Sequence, residues 1–121
     1  MNTEVTKNFL REKADREKQK NFQLWQKAKD EAELIINNII NVIDPREIWQ
    51  WGSVIQKEKF RDYSDIDIAL VGLNDFQELS KAQKIAMNIA SFPVDIVEMD
   101  KLDENFQKAI KRRGRKVYER R

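Results

Sequence analysis

The chain has 121 residues, a length that fits one domain with a modest hydrophobic core. It contains no cysteine and no histidine, which excludes disulfides, thiolate or imidazole metal ligands, cysteine nucleophiles and serine–histidine catalysis. The net charge of +2 favours no class of partner, and the absence of a membrane-length apolar run or a signal-peptide core predicts a cytoplasmic protein without membrane contact.

A long helix, or two helices in line, is predicted over residues 3–43. Neither glycine nor proline interrupts this stretch before Asp44 and Pro45, where the proline prevents the helix from continuing. Its second half has apolar residues at alternating steps of three and four, which is typical of a helix face packed on a core. These residues are Trp25, Ala28, Ala32, Ile35, Ile39 and Val42, and the face is widened by Leu34, Ile36, Ile40 and Ile43.

The first half of this helix differs, because residues 11–20 are almost all charged. A solvated helix is the ordinary interpretation, and an arm that binds a partner through its few apolar side chains is the alternative. We therefore divide the chain into an N-terminal helical extension, residues 1–43, and a domain of residues 44–121, within one compact unit overall.

Residues 48–51 predict a strand, since they are mostly aromatic or β-branched. This strand stops at Gly52 and Ser53. A glycine here allows a close approach to a ligand or a turn that other residues do not tolerate. The serine offers a hydroxyl group and a backbone N–H to a phosphate. Taken alone, the pair is more often an ordinary turn.

A second strand is predicted over residues 64–71. Asp65 and Asp67 fall on one face of it, and Ile66 and Ile68 on the apolar face. Two carboxylates this close repel each other unless a cation lies between them, and carboxylate oxygens together with substrate phosphates suit Mg²⁺. A strand with one solvated face is the alternative interpretation of the isolated pattern.

The remaining sequence predicts a helix at about residues 75–91, a strand at 94–97 and a helix at about 101–113. We expect Asn74 to cap the first of these helices and Gly114 to follow the second as its C′ residue. Their apolar faces comprise Phe76, Leu79, Ala82, Gln83, Ala86 and Ile89 in the first, and Leu102, Phe106, Ala109 and Ile110 in the second. This order predicts an α/β or α+β sandwich with a small mixed sheet.

Together these motifs resemble the DNA polymerase beta-type nucleotidyltransferase superfamily. Its pattern is an apolar residue, Gly-Ser, a short spacer, Asp-apolar-Asp and a third carboxylate on a later strand. Residues 51–53 match the first part, residues 65–68 the second, and Asp95 supplies the third carboxylate. Residues 114–118 look like the closing strand common in that superfamily. The resemblance covers roughly residues 47–119 and is closest to the minimal nucleotidyltransferases that pair with HEPN-domain proteins.

The resemblance implies roles for five residues. Asp65 and Asp67 would hold two Mg²⁺ or Mn²⁺ ions, and Asp95 would complete the ion at the attacking hydroxyl and help to accept its proton. Gly52 and Ser53 would hold the β- and γ-phosphates of a nucleoside triphosphate, with ATP as the expected donor.

The assignment of the third carboxylate has close competitors, since Glu98 and Asp100 are near Asp95 in sequence. Asp95 is favoured because it lies within the apolar run of residues 94–97, where an unpaired carboxylate would be costly.

The loop after Ser53 departs from the family pattern, which often has a small-Arg-Gly segment there. Residues 54–60 lack that glycine and carry lysines, which cannot reproduce a forked guanidinium contact with phosphate. Lys57, Lys59 and Arg61 could still place positive charge near a triphosphate. A solvated charged loop is the alternative.

The resemblance implies an antitoxin enzyme that transfers AMP from ATP to a hydroxyl of a HEPN-type toxin. The alternative is a non-catalytic antitoxin-like binding module that neutralises its partner by contact. Transfer to a small molecule would normally need a substrate domain, for which the chain has little room. The basic tail of residues 111–121 makes nucleic-acid binding possible without favouring it, and oligomerisation stays open.

Overall fold

In a computed structural model that describes residues 3–121, the chain forms three α-helices and a four-stranded mixed sheet. The elements are α1 (Thr3–Val42), β1 (Glu47–Trp51), β2 (Ile66–Val71), α2 (Phe76–Ile89), β3 (Val94–Glu98), α3 (Glu104–Arg113) and β4 (Arg115–Glu119). The strand order is β3-β2-β1-β4, with β1 antiparallel to β2 and β4, and β2 parallel to β3. The predicted α+β fold with a mixed sheet and a long N-terminal helix is confirmed.

The two faces of the sheet are covered by different helices. Ile66, Ile68 and Leu70 of β2 are fully buried with the second half of α1 and with α2. The alternate residues Ala69 and Val71 are buried against α3. Because side chains alternate along a strand, Asp67 belongs to the α3 face of the sheet.

Helix α1 is a single helix of 40 residues. Its predicted apolar face is confirmed between Ala28 and Ile39, where small and branched side chains are fully buried. Leu34 and Val42 were predicted to join this face, but they are 52% and 59% exposed, so that part of the prediction is wrong. Val42 is exposed as the last residue of the helix. Residues 1 and 2 of the predicted extension lie outside the described residues.

The predicted end of α1 at Asp44 and Pro45 is confirmed. The backbone N–H groups of Ile43 and Asp44 both donate to the carbonyl of Ile39, at 2.8 and 3.1 Å. Asp44 has a φ of 54°, which turns the chain out of the helix. The Tyr118 hydroxyl donates to the Asp44 carboxylate, so the last strand is tied to the end of the helix.

Helices α2 and α3 begin one and three residues later than predicted. Asp75, not Asn74, is the N-cap of α2, and its carboxylate accepts from the N–H of Glu78 at 3.0 Å. Asp103 caps α3 in the same way, accepting from the N–H of Phe106 at 2.9 Å. An aspartate at each boundary satisfies a backbone donor that the helix leaves open.

Two further expectations for these helices are wrong. Phe76 is 69% exposed and Phe106 is 44% exposed, so neither is fully part of a buried face. Gly114 has a φ of −91° and therefore makes no left-handed cap. A Cβ at Gly114 would lie 2.5 Å from the carbonyl oxygen of Ile110 and 2.6 Å from that of Gln50. The glycine is needed there because α3 and β1 approach each other closely.

Candidate functional site

The sheet brings Asp67 and Asp95 together. They are Cα partners across the parallel pair β2–β3. Asp67 is also the Cα partner of Trp51 across the antiparallel pair β1–β2. Residues opposite each other in a sheet share a face, so the three side chains form a row on the α3 face of three adjacent strands. Asp65 lies one residue before β2 and next to this row.

The carboxylates of this group interact electrostatically. The pKa of Asp67 is raised from 3.8 to about 6, first by burial and then by the negative charges of Asp95 and Asp65. Burial and like charges both disfavour the ionised form of a carboxylic acid. A cation bound between these side chains would reverse the second effect. A site with this electrostatic character is a candidate for function rather than for stability.

Asp65 is positioned by a tight turn that the sequence did not reveal. Ser64 is buried; its hydroxyl accepts from the N–H of Arg61 at 2.9 Å, and its own N–H donates to the Arg61 carbonyl at 3.0 Å. The predicted strand over residues 64–71 therefore starts two residues late, at Ile66. Asp65 is exposed at the end of a fixed turn, beside the first residue of the strand.

Gly52 fits against the central carboxylate. Its φ of 79° and ψ of −162° lie in a region that is essentially restricted to glycine. A Cβ at this position would lie only 2.3 Å from Oδ2 of Asp67. Ser53 follows directly and starts a 3₁₀ turn over Ser53–Ile55. The Gly-Ser element and the Asp-x-Asp element, which are separate in sequence, are thus in direct contact.

The two competing carboxylates have other partners. Glu98 lies opposite Leu70, three residues along the strand from Asp95, and pairs with Lys101 at 3.2 Å. Asp100 accepts from the N–H of Gly72 at 2.9 Å. Asp95 itself is exposed, because β3 is an edge strand, so the expectation of a costly buried carboxylate is wrong. Its place in the group rests on the strand register instead.

The loop after Ser53 is held against α1. Val54 and Phe60 are buried in the main core, and Phe60 meets the ring of Phe92 edge-on at 5.5 Å. The indole N–H of Trp25 on α1 donates to the Val54 carbonyl at 2.8 Å. Helix α1 thus supports the segment that carries Gly52 and Ser53. The sequence identified Trp25 only as a core residue, since its apolar spacing says nothing about the indole N–H.

Two basic side chains of this loop contact α1 or the loop itself. The Lys57 ammonium lies 5.1 Å from the centroid of the Phe22 ring on α1. The Arg61 guanidinium donates to the carbonyls of Glu58 and Phe60, at 2.9 and 2.8 Å. Lys57 and Arg61 line a cavity of about 740 Å³ against the charged half of α1. Lys59 is exposed on the second 3₁₀ turn of the loop, Lys57–Lys59.

The donor atoms of the group suit a hard divalent ion. Within residues 3–121, no three acidic side chains already have the arrangement of a complete metal site. Mg²⁺ does not require one, since it commonly binds one or two carboxylates and takes its other ligands from water and substrate phosphates. Asp65 and Asp67 provide such a pair, and burial together with the charges of Asp95 and Asp65 raises the pKa of Asp67.

Comparison with known proteins agrees with this geometry. The sequence matches the family described as "Polymerase beta, Nucleotidyltransferase" over residues 33–121, and the chain therefore belongs to that family. The matched region includes residues 33–42 at the end of α1, the whole sheet, and the Gly-Ser and Asp-x-Asp elements.

A solved structure described as "Crystal structure of the toxin-antitoxin with AMP-PNP" is similar to this chain. The two share 23% sequence identity with a TM-score of 0.57, and the alignment covers 72% of this chain and 73% of that one. At this identity the likeness shows a common fold. No curated protein sequence matches the chain significantly. Among the described helices, none is both long and apolar enough to cross a membrane.

Proposed function

We propose that this chain is a metal-dependent nucleotidyltransferase that transfers AMP from ATP to a hydroxyl group of a HEPN-type toxin and acts as its antitoxin. Membership of the nucleotidyltransferase family supports the reaction class. The observation that carries the proposal is the contact between Gly52 and Asp67, with Asp95 beside Asp67 in the sheet.

In this reaction the acceptor oxygen forms a bond to the α-phosphorus, and the bond from that phosphorus to the β-phosphate oxygen breaks. The acceptor loses a proton, and pyrophosphate leaves. Asp65, Asp67 and Asp95 would hold Mg²⁺ or Mn²⁺, which would stabilise the negative charge on the attacking and leaving oxygens. Asp95 is exposed at the edge of the sheet, where it could accept the hydroxyl proton from an incoming acceptor.

The phosphate-binding part of the proposal rests on the turn after β1. Gly52 and Ser53 would hold the β- and γ-phosphates, because the backbone here has no side chain between it and the Asp67 carboxylate. Lys57 and Lys59 would add positive charge. For Lys57 this requires the side chain to leave the ring of Phe22, a contact between a cation and an aromatic ring at a partly exposed position.

The toxin partner is supported by likeness alone. A structure similar in fold to this chain is that of a toxin-antitoxin with AMP-PNP, which combines a protein partner and a nucleotide. We propose in addition that the partner is a HEPN-domain protein and that the nucleotide donor is ATP.

A non-catalytic antitoxin-like binding module is the second candidate. The observation that favours it is the direction of Lys57 and Arg61, which contact Phe22 and loop carbonyls instead of the carboxylate group. In that candidate the exposed first half of α1 would provide contact surface, and the nucleotide site would be weak or inactive.

Thermal unfolding with and without ligand tests the proposed site. A ligand that binds only the folded state at a hundred times its Kd adds about 2.7 kcal/mol of stability. Mg²⁺ or Mn²⁺ with ATP should therefore raise the Tm of the wild type, and the double variant Asp65→Asn, Asp67→Asn should lose this increase. Asp62→Asn is the matched control, because Asp62 is exposed in the same turn. An unchanged increase in the double variant would place the metal elsewhere.

A further inference from the structure

We propose that the ring of Phe106, supported edge-on by Trp51, forms an aromatic shelf that stacks the nucleobase of the nucleoside triphosphate. This inference rests on the proposed function and names the part of the site that would bind the nucleoside. It gives a role to two aromatic residues that the proposed reaction does not use.

Trp51 is fixed beside the carboxylates. It is the residue before Gly52 and the Cα partner of Asp67, so its side chain emerges on the same face of the sheet as Asp67. Gly114 lies behind it, and a Cβ there would be 3.3 Å from the Trp51 Cβ. The indole is half-buried against the small core under α3. It therefore offers a rigid ring edge next to the phosphate-binding turn.

Phe106 extends this surface outward. Its ring meets that of Trp51 edge-on, with centroids 6.4 Å apart and an interplanar angle of 88°. Its backbone is held at the first turn of α3 by Asp103. Phe106 is nevertheless 44% exposed, so part of a positioned aromatic residue is accessible to solvent. An accessible aromatic ring can stack any of the nucleobases, since every base has a π-face.

The reaction geometry requires the nucleoside to lie to one side of the line from Asp95 to Gly52. The attacking hydroxyl and the leaving pyrophosphate lie roughly in line on opposite sides of the α-phosphorus. In the proposed function Asp95 marks the attacking side, and Gly52 and Ser53 mark the leaving side. The nucleoside stays bonded to the α-phosphorus, so it must extend to the side of this line. The row of Asp95, Asp67 and Trp51 lies on the α3 face of the sheet, and the aromatic shelf borders that face.

A purely structural role makes a different prediction. If the two rings only close the small core, their loss lowers stability and affects all ligands of the site alike. If they stack the base, their loss weakens the binding of ATP and leaves the binding of tripolyphosphate unchanged. Tripolyphosphate has no base, so it occupies the phosphate turn without reaching the shelf.

The test is a comparison of Mg²⁺–ATP with Mg²⁺–tripolyphosphate by titration calorimetry. The wild type should bind ATP roughly tenfold more tightly than tripolyphosphate, and Phe106→Leu should remove most of that preference without changing tripolyphosphate binding. Trp51→Phe should keep the preference and Trp51→Leu should lose it. Phe76→Leu is the control, since it removes an exposed ring from another helix.

The outcomes separate the two proposals. If the wild type binds tripolyphosphate but its preference for ATP is no greater than that of Phe106→Leu, the aromatic shelf is overturned. The proposed phosphate site would then still hold. Equal losses for both ligands would assign the rings a structural role and also overturn the shelf. Wild type that binds neither ligand would overturn the proposed function itself. If Trp51→Leu fails to fold, Phe106→Leu decides, because Phe106 is 44% exposed and is not part of the buried core.

Discussion

Asp67 lies where strand pairing, the glycine turn and the acidic neighbours meet. Its carboxylate touches the backbone of Gly52, faces Asp95 across β2–β3 and is half-buried by the surrounding sheet. This position raises its pKa to about 6. A residue held in this way is destabilising when ionised, unless a ligand compensates for the charge.

The stability of the protein should therefore depend on the charge of Asp67. The pKa of Asp67 in the folded state lies above its ordinary value of 3.8. The contribution of Asp67 to the free energy of unfolding is therefore fully present below pH 3.8 and is lost as the pH rises through about 6. Asp67→Asn should consequently be more stable than the wild type at pH 7.5, by about 1 kcal/mol after allowance for solvent screening. Urea unfolding across pH 3.5 to 7.5 measures this difference.

The pH dependence is the informative part of that experiment, since an Asn substitution can change stability for other reasons. The gain should shrink toward zero near pH 3.5. A gain that is constant across the range would show that the charge of Asp67 is not the cause. Asp62→Asn, in the exposed turn nearby, provides the control for the general effect of removing one carboxylate.

Gly52 allows a second prediction at the level of one residue. Gly52→Ala would adopt a strained backbone and place a Cβ against the Asp67 carboxylate, so we expect a loss of stability of about 1–3 kcal/mol and much weaker ATP binding. Gly72→Ala is a matched control, because Gly72 also has a positive φ and a close neighbour in Arg46. Gly72→Ala should destabilise without changing ATP affinity. Equal ATP affinities in the two variants would contradict the phosphate turn.

At the level of elements, much of the fold could be predicted from local patterns. Hydrophobic periodicity located α1 and the strands, and the Asp44-Pro45 step marked the end of α1. The caps of α2 and α3 were missed or misplaced because Asn74 and Asp75 are both good N-caps, and only the backbone path chooses between them. The exposure of Phe76 and Phe106 likewise depends on where neighbouring elements end.

The candidate site was predictable in its residues but not in its contacts. Spacing proposed Gly52, Asp65 and Asp67, and the resemblance to the superfamily added a carboxylate on a later strand. The pairing of Asp67 with Asp95 depends on the parallel register of β2 and β3, which no local pattern contains. The direction of Lys57 depends on packing of its loop against Phe22, some 35 residues earlier in the chain by sequence number.

The contact between α1 and the loop leads to a prediction for the helix. Trp25→Phe keeps the packing but removes the hydrogen bond to the Val54 carbonyl, which should cost about 1 kcal/mol and weaken ATP binding by loosening the turn at Ser53. Trp49→Phe is the control, because its indole N–H donates only to Glu47 on the same strand. Thermal unfolding and ATP titration measure both effects. Identical ATP affinities for the two variants would show that the hydrogen bond from α1 does not affect ATP binding at the site.

At the level of the whole molecule, the chain combines a compact nucleotidyltransferase domain with a helix that extends beyond it. The second half of α1 is part of the main core, whereas residues 3–20 are exposed along their length. The division at residue 43 stays a prediction, as α1 contributes side chains to the core of the domain that follows. A catalytic antitoxin and a contact-only antitoxin would use these two parts differently.

The most direct measurement is transfer of label from ATP radiolabelled at the α-phosphate to a HEPN-domain partner in the presence of Mg²⁺. We expect the wild type to label the partner and Asp95→Asn to lose the label. The substitution keeps the size of an exposed side chain, so the fold should survive while one metal ligand and proton acceptor is lost. The proposal of an enzyme would be contradicted if no label were transferred and if the partner were silenced equally well without ATP and by the Asp95→Asn variant. That result would identify a protein that acts by contact.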